Sequence, residues 1–134
     1  MSKQAKAAAI LGCIIVVAAL SALLTANKSG HDSDVVTYDG TPDLTATPER
    51  PTVIDFNATW CGPCMQFAPI FRQTAQEHAG DAVFYSVDVD QHAELAHYYG
   101  VTAIPKLVVL FPDGTRRESI GLISREELES LIAE

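Results

Sequence analysis

The pattern of apolar and polar positions divides the chain into one long apolar segment and a region of short, alternating elements. Residues 7–26 carry no charge. Residues 27–34 (NKSGHDSD) are polar and contain Ser and Gly, which is typical of a flexible tether. Farther along, short apolar runs alternate with stretches whose apolar residues repeat at helical spacing. The pattern predicts an N-terminal membrane segment (1–26), a tether (27–34) and a folded domain (35–134).

The pattern of residues 35–134 predicts strands and helices that alternate along the chain. Strands are predicted at residues 35–38, 53–56, 82–89, 106–111 and 116–120, and helices at 61–78, 91–99 and 124–133. Residues 40–51, with three prolines, predict a loop or a broken short helix. Pro69 is expected to interrupt and kink the first helix, and Ser124 with Glu127 forms a capping box. This order predicts an α/β fold, a mixed central sheet with helices on both faces.

The apolar segment has the length of a membrane-spanning helix, because 20 residues at 1.5 Å each measure about 30 Å, the thickness of a bilayer core. We expect an uncleaved transmembrane anchor. A cleaved signal peptide, with Ala19-Leu20-Ser21 at the cleavage site, is the alternative. A third possibility, lipidation of Cys13, is less consistent with the sequence because most of the apolar run follows this residue. Lys3 and Lys6 indicate a cytoplasmic N-terminus and an extracytoplasmic domain, or a secreted or periplasmic one after cleavage.

The charge of the chain argues against one class of partner. The sequence holds 17 Asp and Glu but nine Lys and Arg, and three of these nine (Lys3, Lys6 and Lys28) precede the folded region, which leaves six. Arg116-Arg117 is the only basic cluster among them. Nucleic-acid binding is therefore not expected. With 134 residues, the chain has room for one domain and its appendage. We expect the protein to be a monomer.

The motif Cys61-Gly62-Pro63-Cys64 lies where an apolar strand passes into a helix. Thiols at positions i and i+3 face the same side of a helix, within the Cα separation of about 4.4 to 6.8 Å that a disulfide requires. Unpaired backbone N–H groups at a helix N-terminus favour a thiolate, so Cys61 is the predicted nucleophile and Cys64 the resolving cysteine. Pro63 lacks an N–H that would have no partner there, and Gly62 leaves the approach to Cys61 open.

Zinc binding is an alternative use of the two cysteines, because His92 and His97 follow them in the sequence. The intervening residues do not resemble a zinc finger, and two histidines five positions apart point about 140° away from each other on a helix. We therefore expect both histidines to lie on an exposed helix surface. No metal is expected, and no cofactor beyond the redox-active disulfide.

The residues around the two cysteines resemble the active-site signature of the thioredoxin family. The matching stretch is IDFNATWCGPC, residues 54–64, and the resemblance covers nearly all of residues 35–134. It continues through Ala68-Pro69, Asp90-Gln91, Tyr99-Gly100-Val101, Ile104-Pro105 and Ile120-Gly121. The resemblance implies a thioredoxin fold and a reversible disulfide between the cysteines.

The resemblance also implies roles for residues outside the motif. Pro105 would be a cis-proline facing the disulfide, and the Ile104 backbone would pair with an extended substrate segment. Asp55 would be a buried proton relay behind Cys64. A carboxylate in a buried strand is costly and suggests a functional reason, although a partly solvated Asp at the strand end is the alternative. Trp60 is expected to be a platform that faces the substrate, with aromatic packing as the alternative.

Three positions depart from the family pattern. Asn57 stands where a second Trp is common, Ser86 where a Lys commonly neighbours the buried Asp, and Lys106 where Thr is usual. Lys106 is expected either beside the sulfurs, where it would stabilise a thiolate or help to select partners, or as a solvated lysine at a strand end.

Gly-Pro between the cysteines resembles the reducing members of the family. The sequence therefore predicts a membrane-anchored protein-disulfide reductase that acts on disulfide-containing extracytoplasmic proteins and takes electrons from a membrane thiol carrier. Two alternatives remain, an extracytoplasmic disulfide oxidase or isomerase and a non-catalytic module that binds extended peptides.

Overall fold

A computed structural model describes residues 34–133, in which five strands form one mixed sheet. The strands are β1 (Val35–Thr37), β2 (Thr52–Asn57), β3 (Val83–Asp88), β4 (Lys106–Leu110) and β5 (Arg116–Ile120). Their order across the sheet is β1-β3-β2-β4-β5. The first three strands in this order are parallel, whereas β4 and β5 are antiparallel to their neighbours. The mixed sheet predicted from the sequence is confirmed, with β2 at its centre.

Three helices accompany the sheet: α1 (Gly62–Glu77), α2 (Ala93–Tyr98) and α3 (Arg125–Ile132). Helix α1 begins directly after Cys61 and continues through Pro69. The predicted interruption at Pro69 is therefore wrong: one helical segment runs on to Glu77. Ser124 and Glu127 form the predicted capping box at the start of α3, in which each side chain accepts a hydrogen bond from the other residue's backbone N–H.

Apolar residues fill both faces of the sheet. One buried cluster includes Val53 of β2 and packs against α1 and α3, and a second includes the next residue, Ile54, and packs against α2. Successive side chains of a strand point to opposite faces, so β2 must be apolar on both sides. The prediction of helices on both faces is confirmed. Asp55 is therefore an unusual residue at the centre of this sheet.

Most element boundaries lie within one residue of those predicted, but α2 begins two residues late. Residues 40–51 form a loop with no helix. The predicted membrane segment 1–26 and the tether, except Asp34, lie outside the described residues. Between Asp34 and Ala133, no helix combines the length and the apolar character needed to cross a bilayer.

Candidate active site

Cys61 and Cys64 form a disulfide at the N-terminus of α1, with 5.3 Å between their Cα atoms. Cys61 is the N-cap residue, and its Sγ accepts a hydrogen bond from the Cys64 backbone N–H at 3.2 Å. Each residue is only 5% exposed. Because a backbone donor and the positive end of the helix dipole meet at this sulfur, the position favours a negative charge on Cys61.

The peptide bond between Ile104 and Pro105 is cis and lies opposite the disulfide. The carbonyl oxygen of Ile104 is 3.9 Å from Cys61 Sγ. Ile104 packs against a small buried cluster formed by Ala58 and the two cysteines. Pro105 itself is buried. The loop before β4 therefore presents backbone groups beside the sulfurs, in the geometry expected from the sequence.

Trp60 lies beside the disulfide with 67% of its surface exposed. Its indole N–H donates a hydrogen bond to Asp90 Oδ2 at 2.8 Å. The alternative interpretation, that aromatic packing alone explains Trp60, is wrong because most of the side chain faces solvent. Pro63 is exposed in the first turn, and a Cβ placed on Gly62 would meet no described atom within 4 Å, so this side of the disulfide is open.

Asp55 is 4% exposed on the central strand, so the alternative of a partly solvated strand-end carboxylate is wrong. Burial raises the pKa of Asp55 from 3.8 to about 7, and a hydrogen bond from Asn57 opposes part of this rise. Its Oδ1 atom is buried and has no hydrogen-bond partner among the described residues. Asp55 is therefore poised to exchange a proton near neutral pH.

A cavity of about 350 Å³ joins Asp55 to Cys64, since both residues line it. Asn57 and Ser86 line the same cavity, next to Asp55. Polar groups line part of this cavity, and its volume is large enough for water, which can carry a proton between groups that do not touch.

Asn57 donates a hydrogen bond to the Asp55 carboxylate and lies close to two further acceptors. Its amide nitrogen lies 3.2 Å from Asp55 Oδ2, 3.1 Å from the Asp55 carbonyl oxygen and 2.8 Å from Ser86 Oγ. Ser86 is aligned with Asp55 in the parallel pairing of β2 and β3. The sequence identified both residues as departures from the family but did not predict these bonds. The spacing of Asp55 and Asn57 on one strand face was an available signal, whereas the place of Ser86 requires the strand register.

Lys106 is 4% exposed, so its interpretation as a solvated lysine is wrong. Its Nζ donates to the Tyr99 carbonyl oxygen at 2.6 Å and lies 2.9 Å from a Glu118 carboxylate oxygen. Through these two bonds, the Lys106 ammonium group connects the start of β4 to the end of α2 and to β5. Tyr99 and Glu118 were not predicted as its partners.

The two histidines considered as zinc ligands have different surroundings. His92 is half-buried, and its Nε2 bonds with the Tyr38 carbonyl oxygen at 2.9 Å, so the expectation of an exposed surface is wrong for this residue. His97 is exposed in the last turn of α2. In the described part of the chain, no three His, Cys, Asp or Glu side chains are grouped to hold a metal ion.

A helix-capping Cys-x-x-Cys disulfide at the end of a central strand, beside a cis-proline, defines a thiol-disulfide oxidoreductase. The Thioredoxin family model matches residues 35–134. The chain therefore belongs to the thioredoxin family.

Similar proteins carry the same family name. The chain is 40% identical over 84 residues to "Thioredoxin H-type" of Chlamydomonas reinhardtii, an alignment that covers 63% of this chain and 74% of the relative. It is 31% identical over 98 residues to "Thioredoxin" of Borreliella burgdorferi, covering 73% and 84%. A solved structure of a mutant thioredoxin from Halobacterium salinarum has a TM-score of 0.64 and 31% identity, covering 75% of this chain and 89% of that one. The protein is thus a disulfide oxidoreductase of thioredoxin type, a family whose redox group is a disulfide rather than a bound cofactor.

Proposed function

We propose that the protein reduces disulfide bonds in extracytoplasmic proteins while residues 7–26 anchor it to the membrane. The observation that carries the thiol-disulfide exchange is the hydrogen bond from the Cys64 N–H to Cys61 Sγ at the start of α1. A donor at this sulfur stabilises the Cys61 thiolate, which is the attacking group in thiol-disulfide exchange. Gly62-Pro63 between the cysteines, which resembles the reducing members of the family, supports the reductive direction. The uncharged length of residues 7–26 supports the anchor.

The first step is attack by the Cys61 thiolate on a substrate disulfide. A new bond forms between Cys61 and one substrate sulfur, and the other substrate sulfur leaves as a thiolate with the electron pair of the broken bond. An extended substrate segment docks against the Ile104 backbone, next to Pro105. Trp60 provides an exposed apolar platform beside the reacting sulfurs.

The second step releases the substrate. Cys64 gives its thiol proton to Asp55 through the shared cavity, and its sulfur attacks Cys61 in the mixed disulfide. The bond between Cys61 and the substrate breaks, the disulfide of the protein forms, and the substrate leaves with two electrons more than it had. The pKa of Asp55 near 7 suits this task, because a base acts best when its pKa is close to the working pH.

The proposed location determines the electron supply. A domain on the far side of the membrane has no direct access to cytoplasmic reductants, so we infer that a membrane-embedded thiol carrier reduces the Cys61-Cys64 disulfide. A reagent that modifies thiols but does not cross membranes tests this location. It should label Cys61 in intact cells after mild reduction, and labelling only after lysis would contradict the extracytoplasmic placement.

The direction of electron flow is tested by the reduction potential of the full-length protein in mild detergent. Equilibration with glutathione or dithiothreitol buffers, followed by quantification of thiols, gives this potential. A reductase is expected to have a reduction potential of about −270 mV. A potential above about −180 mV would instead favour the oxidase or isomerase alternative.

Catalysis is distinguished from simple peptide binding by trapping. Cys64→Ser should accumulate mixed disulfides through Cys61 in cells, because the resolving thiol is missing. Cys61→Ser is the matched control and should trap far less. Equal amounts of captured protein in both variants, insensitive to reductant, would favour the non-catalytic binding module.

A further inference from the structure

The Asp55 carboxylate has one hydrogen-bond donor within reach on the described chain, the side-chain amide of Asn57. The amide nitrogen lies among three acceptor oxygens, one of which is the Asp55 carbonyl oxygen. A carbonyl oxygen can only accept, so this arrangement requires the NH₂ group of Asn57, rather than its oxygen, to face Asp55. The contact at Oδ2 therefore places a donor on the carboxylate.

Ser86 holds this amide in place from the neighbouring strand. Its Oγ is 2.8 Å from the Asn57 nitrogen, the shortest of the three distances. Ser86 accepts with one lone pair, so its own hydroxyl proton remains available to donate. Both side chains line the cavity that joins Asp55 to Cys64. Asn57 and Ser86 thus form one wall of the space through which the proposed proton transfer occurs.

We propose that Asn57, anchored by Ser86, is a positioning residue that sets the proton affinity of Asp55 and thereby the pH range in which Cys64 is activated. The proposal rests on the proposed function, because it assigns Asn57 a role through the Asp55 proton relay. A donor on Oδ2 stabilises the ionised carboxylate, which is the form that accepts a proton from Cys64. The donor is neutral, so it lowers the proton affinity without placing a charge in the core.

Among the described residues, the other charged and titratable groups around Asp55 donate no hydrogen bond to its carboxylate. Cys64 and Arg72 of α1 line the cavity, β1 contributes Val35 and Thr37, β3 contributes Ser86, and Leu107 of β4 stands opposite Asp55. Arg72 is exposed, and Asp88, which pairs with Asn57, directs its carboxylate to the Asp90 N–H and the Gln91 side chain. The influences on the pKa of Asp55 are burial, which raises it, and the Asn57 hydrogen bond, which lowers it.

The test compares Asn57→Leu, which keeps the approximate shape but removes the donor, with the unchanged full-length protein. NMR of protein labelled at the aspartate carboxyl carbons gives the Asp55 titration midpoint in the oxidised state. Single-turnover reduction of a protein disulfide gives the acid limb of the rate profile. We expect both midpoints to rise by about one pH unit, a tenfold change in proton affinity. Ser86→Ala should shift them less in the same direction, and Thr37→Ala, a cavity residue without this bond, should not shift them.

A purely structural role for Asn57 would give a different result. Asn57→Leu would then lower the urea midpoint while leaving the Asp55 titration unchanged, and that outcome overturns the proposal. If Asn57→Leu does not fold, Asn57→Ala serves instead, because it also removes the donor without adding a charge, and an unchanged Asp55 midpoint in that variant would likewise overturn the proposal.

Asp55→Asn separates this proposal from the proposed function. An unchanged rate and acid limb in Asp55→Asn would refute the proton relay, whereas the NMR titration would still report whether Asn57 controls Asp55. A slow Asp55→Asn variant together with an unshifted Asn57→Leu would refute only the role of Asn57. In the Asp55→Asn background, Asn57→Leu should have no further effect on the acid limb.

Discussion

Lys106 and Glu118 form an ion pair between adjacent strands, with 2.9 Å between Nζ and a carboxylate oxygen. The Lys106 side chain is 5% exposed and that of Glu118 is 31% exposed. The same ammonium group donates to the carbonyl oxygen of Tyr99, the residue that ends α2. A buried ammonium is costly unless it is paired, so these contacts make the position after Pro105 tolerable for a lysine. They also connect the cis-proline loop to β5 and α2.

Glu118→Ala should lower the free energy of unfolding by about 2 kcal/mol, because it leaves the buried Lys106 ammonium with one partner instead of two. Urea denaturation followed by circular dichroism measures this loss. Lys106→Met is the companion variant, since it keeps an apolar stem and removes the charge. It should cost less than Glu118→Ala. A Glu118→Ala protein as stable as the unchanged one would show that the ion pair contributes nothing.

This ion pair shows where prediction from the sequence ends. Lys106 contacts Glu118 only because β4 and β5 pair in a register that aligns Lys106 with Ile120, two residues further along. The sequence predicts that both strands exist, but the burial of a lysine depends on which partners the assembled sheet brings to it. The same limit applies to Ser86, whose contact with Asn57 depends on the pairing of β2 with β3.

Features determined by local chemistry were predictable. The place of Cys61 at the start of α1 follows from a strand, a Cys-x-x-Cys motif and Pro63 in sequence. The capping box of α3 follows from a Ser and a Glu three residues apart. The interruption expected at Pro69 was wrong, because the helix continues through this proline. Phe67 and Phe71, on either side of Pro69 in the sequence, are buried and pack the helix against the core. Tertiary packing overrode the local signal there.

Asp55 should make the oxidised protein less stable as the pH rises from about 4 to about 7. Its pKa is raised from 3.8 to about 7 in the folded state, so the folded protein binds the extra proton between these values. The stability is therefore full at the acidic end of the window and declines through it, by about 4 kcal/mol in total. Asp55→Asn should remove this decline and be the more stable protein at pH 8.

Urea unfolding of both proteins between pH 4 and pH 8 gives the difference in their free energies of unfolding. The contributions of other titrating groups cancel in this difference, because both proteins contain them. Asp81→Asn, at an exposed position, is the control and should follow the unchanged protein. Parallel curves for Asp55→Asn and the unchanged protein would show that the carboxylate is not destabilised by its burial.

Ser124→Ala should lower the free energy of unfolding by about 1 kcal/mol, because it removes the acceptor for the Glu127 N–H at the start of α3. Glu127→Gln should cost less, since glutamine also completes a capping box. Thermal unfolding measures both changes. Ser130→Ala, at an exposed position within the same helix, is the matched control, and a comparable loss there would show that the cap is not responsible.

The hydrogen bond from Trp60 to Asp90 should matter more for protein substrates than for stability. Asp90→Ala removes the acceptor for the indole, so the exposed ring gains freedom that docking must then remove. Ordering a mobile side chain on binding costs conformational free energy, which should lower kcat/KM for a protein disulfide by about two- to tenfold. The rate with a small aromatic disulfide should change less, because that substrate needs less of the platform.

Asp90→Asn tests the cause of this loss, because its amide oxygen can still accept the indole hydrogen bond and should restore most of the activity. The backbone N–H of Asp90, which donates to Asp88 at 2.8 Å, is present in both variants and keeps the turn. Since the chain has a single Trp, its fluorescence anisotropy reports directly on this ring. Faster local motion in Asp90→Ala with unchanged kcat/KM would mean that the bond fixes the ring without assisting substrate docking.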